Sequence, residues 1–260
     1  MRKLACLACV SIVLALGACA TPKSHPYEID EANVGAPGVE VVALLPLNVL
    51  SPLPAELDMV TPRVKRQVRT YLSSCGREVA HFSMGEARNL WNEASVGQRE
   101  TATGQQVVAR YVRRLHEARA FDVLIVPNLV YREAPIRLYD QIAVWDGVRR
   151  PLTVKGYHTS SHSMHGDTKI RGKTQGVSLH VAAYAPAGAL VFEGYGGLDL
   201  IHEWELRTEW HVDRNMHRYA VPVYEQRLMR KRLADEAHLA EGVALAFDPY
   251  LVPAGAAEAD

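Results

Sequence analysis

Two kinds of segment alternate along the first half of the chain: short apolar runs and stretches with helical periodicity. The run Val39–Leu45 stops at Pro46 and predicts a strand that is buried on both faces. A helix is predicted next, with Thr61 as its N-cap and Gly76 at its end. Its apolar positions recur every three or four residues: Val64, Val68, Tyr71, Leu72 and Cys75. This stripe predicts that one face of the helix packs on the sheet.

The alternation continues to about residue 126. Arg77–Phe82 predicts a second strand, and Ser83 with Glu86 forms a capping-box pattern that predicts the start of a second helix. Phe121–Val126 predicts a third buried strand. Two helices between these strands carry inward-facing positions: Leu90 and Trp91, then Val108, Tyr111, Val112 and Leu115. Strand, helix, strand, helix, helix, strand predicts an α/β fold (α+β in its second half), with helices packed on a mixed sheet.

The second half of the chain changes to patterns typical of hairpins. Asp146-Gly147 lies between two apolar runs and predicts a tight hairpin turn, and Pro186–Gly188 predicts another. Strict alternation over Trp204–Val212 predicts a half-buried strand with a charged outer face. A C-terminal amphipathic helix is expected from about Tyr224 to Phe247, and Asp248-Pro249 should stop it.

The N-terminus carries a targeting pattern. A basic head is followed by Leu4–Leu16, an uncharged and mostly apolar run that is too short to span a bilayer. The run ends in Leu16-Gly17-Ala18-Cys19, which resembles the lipobox of bacterial lipoproteins. That resemblance implies cleavage before Cys19 and acylation of its thiol, and Ala20 resembles the residue found in lipoproteins sorted to the outer membrane. The alternative is an ordinary cleaved signal peptide.

These boundaries divide the chain into four parts. Residues 1–18 are the expected signal peptide, and residues 19–38 the expected acylated cysteine and flexible tether, since they are rich in proline and glycine. Residues 39–252 are expected to form a single α/β domain that faces the periplasm. Residues 253–260 are expected to be a disordered tail.

Charge and cysteine content narrow the function classes. The whole chain has 29 basic and 29 acidic residues, and loss of Arg2 and Lys3 with the signal leaves 27 against 29, a net charge of −2. This balance argues against a nucleic-acid partner. Cys6 and Cys9 are also lost, so Cys19 and Cys75 remain and no disulfide is expected within one chain. Cys75 falls on a helical apolar stripe, which favours a buried and inert thiol.

The clearest candidate chemistry is a group of histidines. His158, His162 and His165 lie within eight residues and are suitable ligands for Zn or Cu. Met164 would favour reduced copper, and Asp167 is a possible fourth ligand. The alternative is a polar loop over residues 156–176 that collects histidines without a fixed site, since a closed site needs four oriented ligands.

Patterns typical of enzymes fail at the residue level. His202-Glu203 resembles the start of a zinc-protease motif, but Leu206 stands where the second histidine is required. Gly194–Gly197 follows a predicted hairpin strand and is expected to be a bend, not a phosphate-binding loop. No Gly-x-Ser-x-Gly sequence is present. We therefore expect no catalytic residues, and we expect His211 and His217 at the surface.

Basic residues cluster on predicted helices. The clusters are Arg63, Lys65, Arg66 and Arg69; Arg110, Arg113 and Arg114; and Arg227, Arg230, Lys231 and Arg232. The expected role is a solvated face with neighbouring carboxylates. The alternative is a surface that meets an acidic partner or lipid headgroups.

The order of these segments resembles that of periplasmic lipoproteins with the curli-secretion lipoprotein fold. Penicillin-binding-protein activator lipoproteins and the amino-terminal domain of TolB share this fold. The matching segments are Val41–Leu47, Ser73–Gly76, Arg77–Val79, Glu86–Glu93, Phe121–Val130 and Val177–Phe192. The resemblance covers residues 39–250 and implies an α/β fold. Residues 131–176 and 194–223 lie where the curli-secretion family inserts the hairpins that form its pore.

Three functions follow from these patterns. The leading expectation is an outer-membrane lipoprotein that is not an enzyme and whose domain binds another envelope component, in an assembly, scaffolding or export accessory role. The second is a metal-binding or metal-sensing lipoprotein that uses the three histidines. The third is a subunit of an oligomeric secretion pore in the outer membrane.

Overall fold

A computed structural model describes residues 26–96, 103–137, 139–155, 170–228 and 235–253. The helices are α1 Thr61–Ser74, α2 Met84–Ser95, α3 Gly104–Ala118 and α4 Glu236–Phe247. The first strands are β1 Tyr27–Ile29, β2 Val41–Leu44, β3 Glu78–His81, β4 Val123–Arg137, β5 Ile142–Trp145 and β6 Val148–Pro151. The later strands are β7 Val154–Lys155, β8 Lys173–Tyr184, β9 Leu190–Leu200, β10 His202–Val212 and β11 Arg218–Leu228.

A mixed sheet organises these elements. Its strand order is β1-β9-β8-β4-β2-β3, with the β5–β6 hairpin joined to the far end of β4. β2 runs parallel to β3 and β4, whereas β4, β8, β9 and β1 pair antiparallel. The predicted α/β fold with helices on a mixed sheet is confirmed.

Helices cover both faces of the sheet. α1 and α4 pack on one face, and their buried positions are Val64, Val68, Leu72, Leu239, Val243 and Phe247. α2 and α3 pack on the other, through Ala87, Ala94, Tyr111, Val112 and Leu115. Val42 and Leu44 of β2 face the first cluster while Ala43 and Leu45 face the second, so this strand is buried on both faces as predicted.

Glycines in β9 allow α4 to approach the sheet backbone. A Cβ on Gly196 would lie 2.6 Å from the Ala246 nitrogen and would also clash with the Gly242 carbonyl. A Cβ on Gly194 would lie 2.7 Å from the Ala246 oxygen. Gly194–Gly197 is therefore part of a continuous strand, and the expected bend is wrong, because these glycines provide close approach and not a turn.

The β5–β6 hairpin packs on the opposite face of the sheet, where glycines again leave room for a close contact. A Cβ on Gly176 would lie 2.7 Å from the Trp145 indole nitrogen, and a Cβ on Gly197 would lie 3.1 Å from it. Asp146 and Gly147 form the turn, both with positive φ, as the Asp-Gly pair predicts. The hairpin at Pro186–Gly188 is also confirmed, since β8 and β9 pair on either side of it.

Residues 26–38 differ from the expected flexible tether. Tyr27–Ile29 adds to the edge of β9, Ala36 is buried, and the Gly35 N–H donates to the Pro249 carbonyl at 3.0 Å. These backbone hydrogen bonds fix the segment, so residues 26–38 are part of the folded domain and are not a free tether. Residues 19–25 lie outside the described part of the chain.

The C-terminal helix is also shorter than predicted. Residues Tyr224–Leu228 belong to β11, whose pairing with β10 fixes an extended backbone. α4 begins after Asp235, whose side chain accepts hydrogen bonds from the backbone nitrogens of Ala237 and His238, and it ends before Asp248 as predicted. Of the expected tail, residues 254–260 lie outside the described part.

The predicted N-cap is confirmed at α2 and lies one residue too late at α1. Ser83 and Glu86 form the predicted capping box. Thr61 is the first residue of α1 and not its N-cap, because its hydroxyl donates back to the Leu57 carbonyl at 3.1 Å. Gly76 has the positive φ expected at a helix end.

We expect Gly196→Ala to lower the free energy of unfolding by about 1–3 kcal/mol, since the new methyl group must push α4 away from β9. Urea denaturation measures this. Gly85→Ala, in the first turn of α2, is the matched control: its Cβ would meet no atom of a neighbouring element within 4 Å, and we expect a gain of up to about 1 kcal/mol. Equal stability of the two variants would contradict a tight contact between β9 and α4.

Candidate functional site

The residues predicted from sequence fall in different places. Cys19 and the histidines His158, His162 and His165 lie outside the described residues, so acylation and the Zn or Cu site stay predictions. Within the described ranges, no group of three or more His, Cys, Asp or Glu side chains is arranged to hold a metal ion. Cys75 is buried as predicted, and burial raises the pKa of its thiol to about 11.

The most prominent surface feature is the β10–β11 hairpin. The strands pair antiparallel from His202 opposite Leu228 to Val212 opposite Arg218. The turn between them is closed by the Asp213 carboxylate, which accepts hydrogen bonds from the backbone nitrogens of Asn215 and His217 at 2.8 Å each. We call the end of the ribbon at Glu203 and Trp204, where β7 pairs with β10, its root. Beyond the root, this two-stranded ribbon pairs with no other described strand.

One face of the ribbon is charged and internally paired. Arg227 contacts Glu205 at 2.7 Å, and Arg207 contacts Glu225 at 3.2 Å and Glu205 at 3.5 Å. Each pair is exposed and contributes little alone, but the four side chains bridge both strands. The charged outer face predicted for β10 is confirmed from Glu205 to His211, whereas Glu203 is buried.

The other face changes character along the ribbon. Trp204 near the root is 8% exposed, whereas Trp210 is 68% exposed and Val212 is 53% exposed. Met216 in the turn is 81% exposed. The predicted half-buried strand is thus correct at Trp204 and wrong at Trp210 and Val212, because no described element covers these two side chains. We call Trp210, Val212 and Met216 the hairpin tip.

The root fixes the ribbon to the domain. β7 pairs parallel with β10, and the backbone N–H of Trp204 donates to the Thr153 carbonyl at 2.7 Å. The Lys155 ammonium donates to Glu203 Oε1 at 2.6 Å. Glu203 and Trp204 are both buried although they point to opposite faces, so the root is enclosed on both sides. His202 lies on this strand and not on a helix, as expected of a failed zinc-protease motif.

A polar cluster lies on the sheet face that carries α2 and α3. His180 and Tyr195 are cross-strand partners whose rings stack at 4.5 Å. His180 Nε2 lies 2.8 Å from Glu193 Oε1, which also accepts from the Tyr195 hydroxyl at 3.1 Å. Burial lowers the pKa of His180, and the Glu193 carboxylate partly offsets this shift.

The cluster continues toward the β5–β6 hairpin. Arg132 lies over the Tyr195 ring at 4.6 Å and pairs with Asp146 at 3.1 Å. The Ser178 hydroxyl donates to Asp146 at 2.6 Å and accepts from the Trp145 indole nitrogen at 3.1 Å. Because Ser178 is engaged by Asp146 and not by His180, this arrangement joins strands to the hairpin and does not form a serine–histidine pair.

Basic residues on the helices have the predicted carboxylate neighbours in several cases. Arg66 contacts Glu236 at 3.3 Å, and Arg114 contacts Glu117 at 3.0 Å. Arg230, Lys231 and Arg232 lie outside the described residues. His211 and His217 are exposed on the ribbon, as expected.

Sequence reasoning missed half of the projecting ribbon. Residues 218–228 contain Tyr219, Val221 and Val223 at alternate positions, which is a strand signal. The helical pattern predicted from Tyr224 onward obscured it. The exposure of the tip has no sequence signal, since an alternating strand has the same pattern whether or not another element covers it.

Comparison with known proteins found no match: no family model, no curated protein and no solved structure matches the chain. In the described portion, no helix is both long enough and apolar enough to cross a membrane.

We expect Glu193→Gln to lower the pKa of His180 further, because the carboxylate that favours the charged imidazole is removed. An NMR titration of the His180 ring protons measures this shift. Glu225→Gln on the ribbon removes a similar charge at a distance and should leave the pKa of His180 unchanged. A pKa that stays constant or rises in Glu193→Gln would contradict the contact.

Proposed function

We propose that this protein is an outer-membrane lipoprotein whose periplasmic α/β domain binds another envelope protein through the hairpin tip. The proposal treats the domain as a binding module and not an enzyme. The observation that carries it is the exposure of Trp210, at 68%, on a ribbon whose outer part pairs with no other described strand.

The tip has the composition of a binding surface. Tryptophan and methionine are enriched at the centres of protein interfaces, and tryptophan is common among residues whose loss weakens binding most. Trp210, Val212 and Met216 are all exposed and lie at one end of the ribbon. Exposing large apolar side chains together is unfavourable in water, which favours a surface that is covered in a complex.

Contacts along the rest of the ribbon hold the two strands of the tip in place. An isolated two-stranded hairpin is only marginally stable in water. Here Lys155 pairs with Glu203 at the buried root, and Glu205 bridges Arg207 and Arg227 along the charged face. These contacts hold the strands in register, so the tip is presented with less loss of conformational entropy on binding.

The proposed localisation to the outer membrane is based on the N-terminal sequence. The lipobox-like Leu16–Cys19 supports acylation of Cys19, and two or more acyl chains give durable membrane attachment. An anchored domain needs no affinity of its own for the bilayer. Its exposed surfaces are therefore free to recognise a partner.

Photocrosslinking tests partner binding by the tip. With p-benzoylphenylalanine in place of Val212, we expect one discrete crosslinked envelope protein in intact cells of the source bacterium. Adding Trp210→Ser should weaken this crosslink about tenfold or more, as loss of a central tryptophan does in other interfaces.

The control places the same probe at Met59, which is 76% exposed and lies before α1. It should give no such product. A crosslink of equal strength from Met59, or one that Trp210→Ser leaves unchanged, would contradict recognition by the tip, and a crosslink only to a second copy would contradict a different envelope protein as partner.

Acylation is tested separately by metabolic labelling with an alkyne fatty acid. We expect Cys19→Ser to abolish the label, because the proposed acyl acceptor is lost. Cys75→Ser should keep both label and attachment, since Cys75 is a buried thiol. Label that persists in Cys19→Ser would contradict the proposed anchor.

A further inference from the structure

A cleft opens at the carboxyl ends of the parallel strands, away from the hairpin tip. β2 ends at Leu44 and β3 at His81, and the parallel pairing of β4 with β2 ends at Ile125. Residues just beyond these ends form an apolar floor of Leu45, Pro46, Phe82 and Pro127. The cleft is shallow and partly open to solvent, so a ligand there would stay partly hydrated.

The topology explains why a cleft forms here. β2 and β4 are neighbours, but the chain leaves β2 toward β3 on one side and leaves β4 toward β8 on the other. α1 packs on one face of the sheet and α2 with α3 on the other. β2 ends at Leu44 whereas β4 continues to Arg137, so the end of β2 leaves a crevice beside β4. Ligands of open α/β sheets bind outside the carboxyl ends of parallel strands.

Positive charge lines one wall of the cleft. Lys65 and Arg69 lie four residues apart on α1, and both line the cleft together with His81 of β3. α1 contains no acidic residue. Arg66, on the same helix, contacts Glu236 at 3.3 Å, whereas neither Lys65 nor Arg69 makes an ion pair with a carboxylate in the described residues.

Arg119 adds to the positive charge on this side of the cleft. The pKa of His81 is lowered first by burial and then by the charges of Arg69, Lys65 and Arg119. Arg119 contacts Glu86 at 3.6 Å and stacks over the Phe82 ring at 4.8 Å. Three cations thus act on one imidazole, and the nearby carboxylate of Glu86 faces Arg119.

We propose that this cleft binds a small oxyanion, a phosphate or carboxylate group, between Lys65, Arg69 and His81. The Arg69 guanidinium matches two oxygens of such a group, the Lys65 ammonium supplies a point charge, and His81 donates a hydrogen bond. An apolar substituent of the ligand lies on Leu45 and Pro46. This site is independent of the hairpin tip and goes beyond the proposed function.

The test follows the His81 ring by NMR in the full chain, held in a nonionic detergent at pH 7.5. The His81 signal is assigned with His81→Gln. Sodium phosphate and sodium acetate are titrated separately, each against sodium chloride at equal ionic strength. A further arm uses lipid nanodiscs that contain phosphatidylglycerol, to distinguish a lipid headgroup from a free anion.

We expect a saturable shift of the His81 signal with at least one oxyanion source and none with chloride. Lys65→Ala combined with Arg69→Ala should raise the dissociation constant about tenfold or more, because charge-assisted contacts are lost. Arg66→Ala is the matched control from the same helix and should change it by less than about twofold, since Arg66 already pairs with Glu236.

A response to phosphate, acetate or anionic lipid alone assigns the oxyanion to that source and supports the site. An equal response to chloride would overturn the proposal, as would no response to any of the three. A shift that the double variant leaves unchanged, or that Arg66→Ala abolishes equally, would also overturn it. The chloride comparison on the unaltered chain decides the matter even if the double variant is unstable.

Discussion

The backbone contact between β9 and α4 is the constraint on which the rest of the structure depends. Gly196 and Gly242 meet where neither position has room for a side chain. The contact places α4 on the sheet, and α1 then packs on α4 through the stacked rings of Tyr71 and Phe247. On the opposite face, Gly197 admits the β5–β6 hairpin. One glycine-rich strand therefore fixes the positions of elements on both sides of the sheet.

The sheet divides the molecule into two regions with different physical character. The parallel strands β2 and β3 are short, β2 is buried and β3 is a partly exposed edge strand, and their ends open into the basic cleft. The antiparallel strands β4, β8 and β9 are long, and their far ends carry the β5–β6 and β10–β11 hairpins. β4 belongs to both regions, since it pairs parallel with β2 at its start and antiparallel with β8 along its length. A charged cleft and an apolar tip thus lie on one rigid frame without sharing residues.

The features that sequence predicted are those with local causes. The Ser83–Glu86 capping box and the Asp146-Gly147 turn are set by side chains and φ preferences within a few residues. β1 has only three residues, and its pairing is set by the free edge of β9, which no local pattern reveals. The lengths of β4 and β11 likewise depend on partner strands. For the candidate site, alternation revealed β10, but whether its apolar face is covered depends on tertiary packing, and the cleft depends on strand order.

If Cys19 is acylated as proposed, the pairing of Tyr27–Ile29 with β9 limits how far the domain can reach from the bilayer. From an acylated Cys19 to Pro26 there are seven residue steps, which span at most about 25 Å, whereas a free chain to Val39 would span about 70 Å. For a domain anchored in this way, the accessible volume at the membrane surface would be roughly twentyfold smaller, and the effective concentration for a membrane-bound neighbour would be higher in proportion. Three residues of edge strand thus shorten the free chain between the proposed acylation site and the folded domain.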